Sequence, residues 1–223
     1  MYKHIERIKE VVAAHGVKFT ELKADKDFDY YMFEHEPKRR TDKYAGFKGY
    51  SWASSRTRWC TQLLKVSIID KYIKSLGDVV QYVGIAADET KRLERKITET
   101  GNRCYPLVEW GWTEEDCLNY CYALGYDWDG LYKDFKRVSC WCCPLKSLEE
   151  LRVLFKKYPD LWEQLKEMDK NTWRQFRPDY SVEELDKRFE FEEQRLAEGK
   201  SIRNREFYKE LKELLRGKDN AAD

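Results

Sequence analysis

Three of the chain's seven cysteines crowd into Cys140-Trp141-Cys142-Cys143. A Cys-x-x-Cys step lets two thiolates reach one metal from a single turn, and four thiolates suit zinc or an iron–sulfur cluster. Cys60 is the natural third ligand, because Arg56-Thr57-Arg58-Trp59-Cys60 makes a second basic, aromatic cysteine turn. Cys142 stands nearest as a fourth, with Cys104 in reserve. The alternative is a set of ordinary buried thiols, which three cysteines in four positions beside Lys136-Arg137 argue against. Cys117 and Cys121 have the spacing of a chelating pair on a helix. They also have the spacing of a core face, alongside Leu118 and Leu124, and core packing is the better reading. His4, His15 and His35 show no ligand spacing and are assigned no role.

A second chemistry is anion binding. Arg56 and Arg58, with Arg39-Arg40 and Lys65, offer guanidinium and ammonium groups suited to phosphate or sulfate oxygens. A solvated basic loop is the alternative. Asp88-Glu89 follows an apolar run, at the strand end where α/β proteins place ligand-binding groups. Glu89 is placed to take a ribose hydroxyl or a metal, and Asp88 equally to cap a helix.

The elements that must carry these residues alternate. Residues 2–15 predict a helix with Ile5, Ile8, Val11 and Val12 on one face, stopped by Gly16. Val17 to Ala24 reads as a strand, and Asp25 to Arg58 as a long, aromatic, irregular segment of functional or mobile character. Leu63 to Ile73 resumes helical spacing. Val79 to Ala86 is the clearest strand, of the kind buried in a parallel sheet, and Tyr105-Pro106-Leu107 a short edge strand. Thr113 with Asp116 opens another helix that Gly125 ends. After Pro144, Ser147 with Glu150 and Ser181 with Glu184 are capping boxes before amphipathic helices. One is lined by Leu148, Leu151 and Phe155, the next by Leu185 and Phe189, and a last by Phe207, Leu211 and Leu214.

The fold class is therefore α/β, an incomplete, mostly parallel sheet flanked by helices, with a C-terminal helical appendage. The expected domains are an α/β domain over 1–145, the appendage over 146–216 and a polar tail over 217–223. With Lys+Arg at 42 against Asp+Glu at 41, the net charge of +1 gives no global pull toward nucleic acid or membrane. No apolar run approaches a membrane span, and the start has no signal-peptide core. A cytoplasmic, reducing location follows as the expectation, and there the cysteines serve metal or thiol chemistry rather than disulfides.

Four blocks in this order, Ser55-Arg56-Thr57-Arg58-Trp59-Cys60-Thr61, Gly84 to Arg92, Tyr105-Pro106-Leu107 and Ser139-Cys140-Trp141-Cys142-Cys143-Pro144, resemble the phosphoadenosine phosphosulfate (PAPS) reductase-like proteins, in particular the bacterial and prophage-borne branch. The likeness runs from about Met1 to about Arg188. It implies an adenine-nucleotide α-hydrolase-like fold, an adenine nucleotide or sulfonucleotide as ligand and, as in several branches, a four-iron (4Fe-4S) cluster. On the resemblance, Cys60, Cys140 and Cys143 match the family's cysteine positions. Lys65 is similar to the lysine after the first cysteine turn, and Glu89 and Arg92 to the acid and arginine that contact substrate.

Two departures stand beside these matches. The family's Ser-Gly-Gly-Lys-Asp-Ser type phosphate loop does not occur, as if the first βαβ unit were missing. The expectation is that a companion polypeptide supplies that unit, or that the chain self-associates through an open strand edge. No cysteine follows Cys143, so the C-terminal Glu-Cys-Gly type motif of the assimilatory reductases has no counterpart. Two functions compete. The first is nucleotide-dependent sulfur chemistry, reduction or sulfur transfer of the kind seen in the DNA phosphorothioation enzymes. It places an iron–sulfur cluster beside a basic pocket of Arg56, Arg58 and Lys65, with no catalytic residue named. The second is a non-catalytic module, its metal structural, that binds protein or nucleic acid.

Overall fold

Three helices begin where a side chain and a backbone exchange hydrogen bonds within four residues. Thr113 accepts from Asp116 N–H while Asp116 accepts from Thr113 N–H; Ser147 with Glu150 and Ser181 with Glu184 do the same. Each box satisfies N–H groups that no helical carbonyl can reach. In the computed structural model, which describes residues 2–38, 44–94 and 102–216, these boxes open helices in both of two compact units. One unit comprises residues 1–23 and 65–136, the other 24–64 and 137–223.

The first unit holds α1 (Tyr2–Ala14), α2 (Ser67–Leu76), β1 (Gln81–Tyr82), β2 (Arg103–Cys104) and α3 (Glu114–Ala123). The two strands are parallel, Gln81 facing Arg103 and Tyr82 facing Cys104. Gln81 N–H donates to Asn102 at 2.7 Å and Val83 N–H to Cys104 at 2.9 Å. The architecture is thus α/β, a small parallel sheet flanked by helices. It corrects the strand readings in detail. The Val79–Ala86 run pairs only at its centre, and Val80 and Tyr82 are 54% and 74% exposed rather than buried. Its partner is Arg103–Cys104, not Tyr105–Leu107, because Pro106 has no N–H for a ladder and instead opens the short helix Pro106–Glu109. Residues 17–24 form no strand, and Val17, Phe19 and Leu22 are exposed. An apolar segment becomes a strand only when another backbone offers it a ladder.

Arg7 ties α1 to the end of α3. The Arg7 guanidinium lies 4.5 Å over the Tyr126 ring and donates to the Gly125 carbonyl at 3.0 Å. It thereby satisfies a carbonyl just past the helix, where cations are favoured.

The second unit holds α4 (Leu148–Lys157), α5 (Pro159–Lys170), α6 (Val182–Ala197) and α7 (Arg205–Arg216). Leu151, Leu154, Leu165, Leu185 and Phe189 are fully buried where α4, α5 and α6 pack together. On α7, Phe207 and Leu211 are buried, Phe207 stacking on Phe191 at 5.7 Å, while Leu214 is exposed and falls outside the packed face.

The aromatic segment read as irregular belongs to this unit and packs into its core. Met32, Trp52 and Trp59 are buried among the helix side chains. Trp52 Nε1 donates to Asp169 Oδ1 at 2.7 Å, and its ring meets Phe176 edge-on at 4.8 Å. Gly49, at φ +65°, lies so close to the Met32 carbonyl that a Cβ there would come within 1.9 Å of its oxygen. The boundary expected at residue 145 accordingly falls inside the second unit.

Candidate functional site

The cysteine turn begins at Ser139 and ends where the Ser147 cap starts α4. Cys143 N–H donates to the Cys140 carbonyl at 3.2 Å, closing the Cys-x-x-Cys turn, and Lys146 N–H donates to the Cys143 carbonyl at 3.2 Å. Arg177 clamps the exit of the turn from outside. Its guanidinium donates to the Lys146 carbonyl at 2.6 Å and the Pro144 carbonyl at 3.3 Å while paired with Asp179 at 2.9 Å. The second turn is fixed by Trp59, whose Nε1 donates to the Ser51 carbonyl at 2.9 Å and whose ring stacks on Tyr50 at 5.6 Å. That buried indole sets Cys60 at the start of the short helix Trp59–Thr61.

Cys60, Cys140, Cys142 and Cys143 all lie in the second unit. Burial pushes the Cys142 thiol up to about 12, with the neighbouring Cys140, Cys143 and Cys60 adding to it. Burial also raises the Cys143 thiol, and Cys140 and Cys60 push the same way. The Leu145 N–H and the Lys146 ammonium oppose that rise. Cys140 is exposed, Cys60 and Cys143 are half-buried, and Cys142 is part of the apolar core at 9% exposure. Among the described residues no three of these sulfurs lie within 4.8 Å of one another.

Sequence reasoning missed Lys146. It is 5% exposed, donates to Ser139 Oγ at 3.1 Å and lies 3.9 Å from a Glu150 oxygen. A lysine following a Cys-Pro-Leu step carries no signal of burial; only the packing of the turn on α4 shows it. Beside the cysteines an open cavity of about 750 Å³ is lined by Cys140, Trp141, Cys142, Phe28, Phe33 and Met168, and by the carboxylates Asp29 and Glu167.

The donor set suits an anionic metal–thiolate group. It offers thiols of graded exposure, a buried ammonium beside one of them, and a backbone N–H directed at the Cys143 sulfur. Cys104, the reserve ligand, stands on β2 in the first unit, and Cys117 and Cys121 are half-buried on α3 with thiols raised by desolvation.

The residues read as an anion pocket divide between the units. Arg56 and Arg58 are exposed in the second, on a loop closed by Ser54 and Thr57, which exchange backbone hydrogen bonds. Lys65, Glu89 and Arg92 belong to the first. There Glu89 and Arg92 pair with each other at 2.7 Å, and Glu89 also accepts from Ala86 N–H at 3.3 Å. Asp88 accepts from Glu114 N–H at 3.0 Å at the start of α3, whereas the short helix that follows it in sequence, Thr90–Leu93, has no side-chain cap. Arg39-Arg40 lie outside the described residues.

The fold defines an α/β protein whose second unit holds Cys60, Cys140, Cys142 and Cys143. The chain belongs to the phosphoadenosine phosphosulfate reductase domain family, whose model matches residues 6–146. It is 27% identical over 124 residues to uncharacterized protein MJ0066 of Methanocaldococcus jannaschii, covering 52% of this chain and 26% of that one. It is 25% identical over 174 residues to uncharacterized protein MJ0973 of the same organism, covering 73% and 37%. The matches thus span 26% and 37% of those relatives' length. No solved structure matches the chain. Among the described residues no helix is long and apolar enough to cross a membrane.

Proposed function

We propose that the chain carries an iron–sulfur cluster at Cys60, Cys140, Cys142 and Cys143 and serves nucleotide-dependent sulfur chemistry, either reduction or sulfur transfer. The observation that carries this reading is the gathering of the four thiols in one unit, beside a buried ammonium and an open cavity. Bound there, a cluster would supply an electron-accepting, polarising centre next to the sulfur-bearing end of a substrate.

The chain's own residues supply the rest. Lys146 offsets thiolate charge at Cys143, and the Leu145 N–H donates to that sulfur. Arg177 fixes the turn that presents both. The open cavity sets apolar walls, Phe28, Phe33 and Trp141, beside this turn, with the Asp29 and Glu167 carboxylates also in its lining. Exposed Arg56 and Arg58 supply bidentate donors for a phosphate or sulfate. Anaerobic purification followed by iron, sulfide and zinc analysis tests the reading. Brown protein with iron and sulfide is expected; stoichiometric zinc without iron would overturn it and favour a structural site in a binding module.

A further inference from the structure

On the first unit, away from the cysteines in sequence, His4 of α1 meets the turn that follows α3. Its imidazole is 4% exposed, packed between Trp128 at 5.1 Å and Tyr126 at 5.9 Å. Nε2 lies 3.3 Å from Asp127 Oδ1 and 3.9 Å from Asp129 Oδ2. Yet Nε2 is buried without a hydrogen-bond partner, so neither carboxylate sits where an N–H would donate to it. Burying a ring nitrogen with no partner is costly. A simple histidine–aspartate ion pair would remove that cost by aiming the N–H at an oxygen.

The donor atoms of His4, Asp127 and Asp129 all lie within 4.8 Å of one another. Two ligands held about 2.1 Å from a cation stand roughly 3.0–3.4 Å apart in tetrahedral or octahedral arrangement, close to the His4–Asp127 separation. The turn is built to present both acids. Asp127 accepts from Asp129 N–H at 3.0 Å, and Trp128, Asp129 and Gly130 all take positive φ. Lys3, which is 62% exposed, and the N-terminal ammonium both pair with Asp129 and are the cations that a metal ion would have to displace there.

We propose that His4, Asp127 and Asp129 form a binding site for a first-row divalent cation, independent of the cysteine centre. One imidazole and two carboxylates make a borderline, nitrogen–oxygen donor set of the kind that takes manganese, iron or zinc as divalent ions.

Titration of the full chain with Mn²⁺, following the electron paramagnetic resonance signal of the free ion, tests the site. Manganese avoids thiolates, so the cysteine centre does not contribute. One ion per chain is expected. His4→Phe, which keeps the ring packing, and Asp127→Asn should each weaken binding at least tenfold, while Cys140→Ser leaves it unchanged. Circular dichroism checks that each variant is folded; if His4→Phe is not, Asp127→Asn and Asp129→Asn decide. Absence of Mn²⁺ binding up to millimolar ion, or unchanged binding in the folded variants, overturns the proposal. Failure of the iron–sulfur reading leaves this outcome untouched.

Discussion

Replacing Lys146 with methionine separates a metal-tuning role for that lysine from a structural one. The side chain is buried, with its ammonium donating to Ser139 Oγ at 3.1 Å and 3.9 Å from Glu150. Glu150 stays anchored through Oε2 in the Ser147 capping box and its side chain is 19% exposed, so water can reach the carboxylate when the ammonium is removed. Burying a lysine ammonium costs desolvation, and an apolar side chain of similar length removes that cost. The metal-free protein should therefore keep its melting temperature or gain a few degrees. The metal-loaded protein should lose, because the Cys143 thiolate loses the charge that counters its burial. A charge-assisted interaction of this kind is worth roughly 1.5–3 kcal/mol. Partners just outside a metal's ligands typically contribute 10–100-fold in affinity. Iron release to a chelator, followed anaerobically by absorbance, should accordingly speed up about 10–100-fold in Lys146→Met. Unchanged iron release with a lowered melting temperature would show that Lys146 only supports the fold.

Cys60→Ser should lose metal as fully as Cys140→Ser while Cys117→Ser keeps it; full metal in Cys60→Ser would show that the two cysteine turns do not share a centre. Arg56→Ala and Arg58→Ala should each weaken sulfate or nucleotide binding about tenfold or more with metal content intact, since each removes a charge-assisted donor; calorimetry with unchanged affinities would leave both as solvated loop residues. Trp52→Phe keeps the ring in the core but removes the donor to Asp169 Oδ1, at an expected cost of about 1–3 kcal/mol in denaturant unfolding. These 223 residues contain no glycine-rich phosphate loop, so by themselves they should bind ATP no tighter than the millimolar range; micromolar affinity by calorimetry would mean that another loop has taken over that role.

What the sequence determined by itself was everything closed within a few residues. The boxes at Thr113, Ser147 and Ser181 depend on a side chain and a backbone N–H three positions apart, and all three stand as the residue types imply. The Cys-x-x-Cys turn and the family resemblance are local in the same sense, carried by short blocks whose order survives without any knowledge of packing.

Tertiary structure alone decided matters that depend on distant partners. Val79–Ala86 has the composition of a buried strand, yet how much of it pairs is set by Arg103–Cys104 and by the proline after them. The aromatic stretch before Cys60 has no periodicity. It becomes core because Trp52 finds Asp169, 117 positions away. Neither Lys146 nor His4 carries a local sign of burial, since a cation is enclosed only when the chain closes over it, and a histidine loses its water only when another element covers it. Local hydrogen bonding is written in neighbouring residues, whereas burial and long-range pairing are properties of the whole packed chain.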